Sequence, residues 1–211
     1  MKDNLSKFGG IVLFLILAFI CLGGCQDNHE IGNLAVILGV AVEPTDNGGL
    51  RATIELAHRD SVNSEDNSVV LSVEADDWQD ATDQLKDKTD KKLYWGHMVL
   101  LVLGQSFTQE QMNSYIKLFY TDQRLSPTIY VAIAVNSAED IFSSSFGESI
   151  YISEGVAERL AMEQKKKPSL CYTGGEWMQN IYYNKTCKSI AVLSIDEGKI
   201  RIDQRVKFNE S

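Results

Sequence analysis

Histidine is scarce, three among 211 residues, and His29, His58 and His97 lie too far apart for the i,i+4 pair that holds zinc on a helix. Cysteine is nearly as scarce. Cys21, Cys25, Cys171 and Cys187 are too few for a disulfide framework, and they lack the further ligands of a structural zinc site. No HExxH, GxSxG, Walker A or GxGxxG pattern occurs, which removes the familiar metalloprotease, hydrolase-elbow, phosphate-loop and dinucleotide signatures. Positive charge is in deficit, with 20 Lys and Arg against 29 Asp and Glu and a net charge of -9. Such a chain is not drawn to nucleic acid or to an anionic bilayer. Long apolar runs are missing too: the best, Ile11 to Ile20, falls short of the roughly 20 residues a spanning helix needs. Internal repeats and low-complexity stretches are absent.

What is present begins with order at the N-terminus. Lys2 and Lys7 precede the apolar run, and Leu22-Gly23-Gly24-Cys25 follows it, the arrangement of a secretory signal that ends in a bacterial lipobox. Cleavage between Gly24 and Cys25 makes the Cys25 thiol the acceptor of a diacylglyceryl group, with or without a further N-acyl chain, and two chains suffice for stable anchoring. Removal of residues 1–24 takes Cys21, Lys2, Lys7 and Asp3 with it and leaves the mature chain one unit more acidic. Attachment to the membrane is therefore expected to rest on lipid. No other cofactor is expected.

Along the mature chain, Leu34 to Glu43 and Leu50 to Leu56 read as a hairpin around the turn Pro44-Thr45-Asp46-Asn47-Gly48-Gly49. Ser68 to Glu74 reads as a further strand, and Asp76 as the cap of a helix with Trp78, Ala81 and Leu85 inward. Met98 to Leu103, ended by Gly104, has the length and unbroken apolarity of a strand buried on both sides. Thr108 and Gln111 make a capping box for a helix carrying Met112, Tyr115, Ile116 and Phe119 inward. Thr128 to Val135 follows as a strand. Ser137 opens a short helix, and Ile152, Val156 and Leu160 mark a longer one that reaches Lys165-Lys166-Lys167, where cations suit a helix C-terminus. Trp177 and Ile181, with Met178 and Tyr182, mark a last helix before the strand pair Ser189 to Ile195 and Lys199 to Val206. The fold class is α+β, a mainly antiparallel or mixed sheet with packed helices and the start of a second small β unit. The expected division is a signal segment at 1–24, a domain at 25–166, and at 167–211 a helix and strand pair opening a further domain.

The chemistry-bearing residues do not assemble into a catalytic constellation, so no enzyme and no metal site is expected. Ser143-Ser144-Ser145 has no base placed beside it by sequence and reads as a loop, and the carboxylate pairs Asp76-Asp77 and Glu139-Asp140 read as helix starts. Cys171 and Cys187 are left either as free thiols or as a disulfide pair. His97, in Lys91-Lys92-Leu93-Tyr94-Trp95-Gly96-His97-Met98, reads as part of an architectural corner: Gly96 allows close approach, and Tyr94 and Trp95 cover a strand end.

That stretch, through Gly104, resembles the Leu-Tyr-aromatic-Gly-His signature and following apolar strand of the Ger(x)C lipoproteins, the C subunits of bacterial spore nutrient-germinant receptors. The order of other motifs agrees: Cys25-Gln26-Asp27 before Glu30-Ile31, the strand and acidic turn at 34–46, Ala81 and Leu85 ahead of the histidine motif, and the helix, strand and Ala138-Glu139-Asp140 after it. Gln26, Glu43 and Thr121 stand where the family commonly has tryptophan, aspartate and arginine, and the chain is shorter than typical members. The resemblance implies a non-catalytic subunit of a germinant receptor, lipid-anchored on the outer face of the inner spore membrane, with A and B membrane subunits as partners and no nucleic acid. It also makes Tyr94, Trp95, Gly96 and His97 candidates for fold integrity or a subunit contact. The alternative is a membrane-anchored lipoprotein that binds a small molecule in a cleft lined by Trp78, Trp95 or Trp177.

Overall fold

The hairpin is the nucleus of the architecture. A computed structural model describes residues 33–57, 68–121, 126–166, 171–183 and 190–203. In it β1 (Leu34–Pro44) and β2 (Leu50–Ala57) pair antiparallel around the turn, where Gly48 has φ of 87°, a left-handed conformation that glycine adopts without a Cβ clash. β3 (Val69–Ala75) pairs antiparallel with β2 and forms one edge.

On the other side of β1 lie two short strands in line. β4 (Lys92–Tyr94) runs parallel to residues 34–36, and β5 (Leu100–Gly104) runs parallel to residues 39–42. The sequence reading began this strand at Met98, but the chain leaves the ladder over residues 95–99 and returns with three extra residues relative to β1. β6 (Tyr130–Ala134) and β7 (Ala191–Asp196) continue in parallel, and β8 (Lys199–Asp203) closes the far edge antiparallel to β7. The β7–β8 turn puts Glu197 at φ 50° and Gly198 at φ 75°, the pair of positive values a tight hairpin requires. The strand pair expected to open a separate β unit thus extends the same eight-stranded mixed sheet, because β6 offers an apolar parallel edge to β7.

Both faces of this sheet are covered, as the alternation in its centre dictates. Leu101 and Leu103 of β5 and Val131 and Ile133 of β6 face one core, while Leu100, Val102, Ala132 and Ala134 face the other. The first core is completed by α1 (Trp78–Asp87), α2 (Gln109–Thr121) and α5 (Gly174–Tyr182), the second by α3 (Ala138–Phe142) and α4 (Ile152–Lys166). Tyr182, expected inward on α5, is 81% exposed, since Trp177 takes the buried position.

Helix starts show where local rules hold and where tertiary contacts replace them. α2 opens with the expected capping box, Gln111 N–H donating to Thr108 Oγ1 at 3.2 Å and Thr108 N–H to Gln111 Oε1 at 2.8 Å. α5 has a second box, built by Thr173 and Glu176. For α1 the cap is Asp77 rather than Asp76: Asp77 Oδ1 accepts from Asp80 N–H at 2.9 Å, while Asp76 N–H donates to Asp80 Oδ2. α3 and α4 are capped from a distance by strand residues. Glu43, near the end of β1, accepts from Ala138 N–H at 2.7 Å and from the Ser137 hydroxyl at 2.9 Å. Glu55, on β2 and 0% exposed, accepts from Ile152 N–H at 2.8 Å and Ser153 N–H at 2.7 Å. Alongside, a Cβ on Gly39 would overlap the Ser153 hydroxyl and come within 3.0 Å of the Phe142 ring, so α4 can meet β1 only over a glycine.

Two outcomes follow for stability. Glu55→Ala removes both acceptors from a buried helix end and is expected to cost about 3 kcal/mol in chemical denaturation, with Glu55→Gln, which keeps one carbonyl oxygen, costing less. Burial, aided by the charge of Asp77, raises the Tyr115 phenol above its ordinary 10.0, and burial, aided by Glu163 and Glu176, raises Tyr172 likewise. Because their folded values exceed the unfolded one, this contribution to stability is complete below pH 10 and is lost as pH rises through the folded values. Ultraviolet titration should therefore show two phenols ionising late; phenols that all ionise together near pH 10 with the fold intact would contradict it.

Candidate functional site

The excursion between β4 and β5 places the signature residues on two sides of the surface. Trp95 is buried, its ring 5.8 Å from that of Trp78 in an edge contact, and Trp78 in turn lies 4.7 Å from Phe119. One aromatic stack thus ties the corner to α1 and α2. Met98 is buried as well, its N–H donating to Trp95 O at 3.1 Å to form the turn. Val99 N–H then donates to Leu38 O at 2.8 Å, and Tyr130 N–H to Val99 O at 2.9 Å, returning the chain to the sheet. Leu38 is the extra residue where β1 shifts register against β2, so irregularities in neighbouring strands meet here.

Outside, Tyr94, Gly96 and His97 are exposed. The Tyr94 ring folds back over Gly96, where a Cβ would lie 2.5 Å from its hydroxyl, and meets the His97 ring edge-on at 5.7 Å. A side chain at 96 would displace the Tyr94 ring from this position. His97 projects into solvent, and among the described residues no group of three or more His, Cys, Asp or Glu is placed to hold a metal ion.

Next to the corner lies an open cleft of about 520 Å³ between the starts of β5 and β6 and the outer side of α4. Met98, Val99 and Tyr130 form one wall; Ala157 and Ala161 with Glu154 and Glu158 form the other, and Thr128 lies at the rim. The cleft expected to carry tryptophan is not this one: Trp95 and Trp177 are core residues, Trp177 donating through Nε1 to Asn113 Oδ1 at 2.9 Å, and Trp78 is packed against the same core.

The other sequence candidates divide. Gly24, Cys25, His29, His58 and Cys187 lie outside the described residues. Cys171 is disulfide-bonded, with its partner outside them; Asn180 Nδ2 donates to its sulfur at 3.2 Å. The serine run ends α3, with Ser144 Oγ donating to Asp140 O and Ser145 N–H to Gly198 O. Among the described residues no helix is long and apolar enough to cross a membrane.

Sequence reasoning missed the charged constellation at the hairpin end. Arg51 donates to Glu74 at 2.6 Å and to Glu43 at 3.1 Å and lies 3.5 Å from Glu139. The bond to Glu74 foremost, with Glu43 and Glu139, raises the guanidinium above its ordinary value against the opposing effect of burial. The signal was a glutamate in each of two strands otherwise rich in apolar residues, legible only once helices are known to cover that face.

Comparison with known proteins places these features. The family described as the spore germination protein N-terminal domain matches residues 27–195, a span that reaches into β7. A crystal structure described as that of the GerBC protein aligns with 78% of this chain and 46% of its own, at 17% identity and a TM-score of 0.32, too low to transfer detail. This chain thus covers less than half of that protein. No curated protein matches.

Trp95→Ala is expected to cost about 3–5 kcal/mol in denaturant unfolding, as loss of a buried aromatic does, whereas His97→Ala should change stability by no more than about 0.5 kcal/mol.

Proposed function

The chain belongs to the spore germination protein N-terminal domain family, and from that premise we propose that it is a lipid-anchored, non-catalytic subunit of a nutrient germinant receptor. The family match over residues 27–195 supports the receptor part of this reading, and the Leu22-Gly23-Gly24-Cys25 motif motivates the anchor. In it, Cys25 bears the diacylglyceryl anchor on the outer face of the inner spore membrane. The short polar stretch Gln26 to Glu30 then keeps the domain near the bilayer, where tethering raises its effective concentration for membrane partners. Those partners are the A and B receptor subunits.

The corner supports a division of labour within this role. Trp95 and Met98 hold the fold, while Tyr94 and His97 offer an aromatic pair to a partner subunit, a residue type that suits interface anchors. A contact of this kind would transmit a signal only if it differed between the resting and triggered receptor. We further propose that Cys171 bonds Cys187. Cys21 falls in the removed segment and Cys25 carries lipid, so this pairing leaves the anchor unaffected.

Spores lacking the gene are expected to lose response to one nutrient while a receptor-independent germinant still works. Wild type should restore the response and Cys25→Ala should restore it poorly. His97→Ala tests the corner: impaired nutrient response with unchanged stability supports a subunit contact, and full rescue removes His97 from it. Germination unchanged by the deletion under every nutrient would overturn the receptor reading.

A further inference from the structure

The cleft beside the corner has the size of a ligand site and a one-sided chemistry. Its volume of about 520 Å³ falls in the range of small-molecule pockets. Met98, Val99, Tyr130, Ala157 and Ala161 give it an apolar lining, and the carboxylates on it among the described residues, Glu154 and Glu158, stand one helical turn apart on α4. No cation lines it.

Two of the three cations on α4 are engaged elsewhere, while the third, Lys165, is exposed one turn beyond Ala161. Arg159 lies 3.5 Å from Glu163, and Lys166 reaches the same carboxylate at 3.2 Å. Neither Glu154 nor Glu158 has an ion-pair partner among the described residues. Two like charges at i,i+4 repel, and a cation between them relieves that repulsion. By contrast, an anionic group entering the cleft would find no positive side chain among the described residues that line it.

We propose that this cleft binds a monovalent organic cation, an ammonium or guanidinium group on an apolar stem. The charged head lies between Glu154 and Glu158, and the stem lies along Met98, Val99, Ala157 and Ala161. The Tyr130 hydroxyl, whose bond to Gln164 Oε1 is a long 3.4 Å, and the Thr128 hydroxyl at the rim can accept from the head group. Zwitterions are disfavoured because Glu154 and Glu158 repel their carboxylate. The head group can belong to a free amine or to a lysine or arginine side chain of a partner protein, and the site reads the same chemistry in both. The binding stands independently of the receptor reading, since it is measured on the purified chain without spores.

The test is titration of the full chain, purified in nonionic detergent and followed by amide NMR, with n-pentylamine, n-butylguanidine, norleucine and n-pentanol. The two cations should shift signals of residues 98–99, 128–130 and 154–161, with norleucine and pentanol binding at least roughly fivefold more weakly. Glu154→Gln combined with Glu158→Gln, both at exposed positions, should weaken the cations roughly fivefold or more and leave pentanol unchanged. Ala161→Leu, which fills the cleft and keeps both charges, should weaken all the ligands that bind. Adding the blocked tripeptide acetyl-Leu-Lys-Leu-amide separates the sources: tighter binding than pentylamine at the same signals assigns the head group to a partner side chain, and weaker binding assigns it to a free amine. Cation shifts scattered over the acidic surface, or retained in full by the double variant, would overturn the proposal.

Discussion

The buried carboxylate of Glu55 is the constraint around which the second layer of this domain is arranged. A charge taken fully out of water must be matched by donors, and here the donors are the first backbone N–H groups of α4. Strand and helix therefore specify each other: α4 cannot slide along the sheet without leaving a carboxylate unmatched. Glu43 repeats the arrangement for α3, and Arg51 links that carboxylate to Glu74 on β3 and Glu139 on α3. The hairpin β1–β2 thus supplies the central ladder and also the docking coordinates of the helices on one face. The cleft beside α4 inherits its position from the same contact.

The opposite face is organised by apolar contact. Trp95 joins Trp78 and Phe119, so three separate stretches of sequence meet in one aromatic stack. This stack explains why a short irregular segment in a parallel ladder is tolerated. The lost ladder contacts over residues 95–99 are offset by the burial of Trp95 and Met98.

Much of this is legible in the amino-acid sequence. The turn from Pro44 to Gly49 between two strand-like runs identifies the hairpin, the unbroken apolar run identifies a doubly covered strand, and the Thr108 and Gln111 spacing identifies the start of α2, because each signal is local. What the chain concealed was nonlocal. Asp76 and Asp77 are equivalent candidates by composition, and only the extended backbone of Asp77 decides the cap. Glu43 and Glu55 look like ordinary polar positions on a half-exposed hairpin until α3 and α4 are seen to cover them. The corner was readable as architecture from Gly96, but the split of its neighbours into buried Trp95 and exposed Tyr94 and His97 depends on the three-residue excursion, which periodicity does not register. Likewise, 167–211 looked separable because no sequence signal announces that β7 pairs with β6.

That excursion is pinned at both ends to a single strand, β1. Its exposed tip therefore behaves like a replaceable bit in a fixed chuck. Residues 94 and 97 face each other across 5.7 Å and can change identity together without moving the ladder, while Trp95 between them answers to the core. A paired substitution there would reshape the exposed tip with little effect on folding, whereas a change at Trp95 reaches the core.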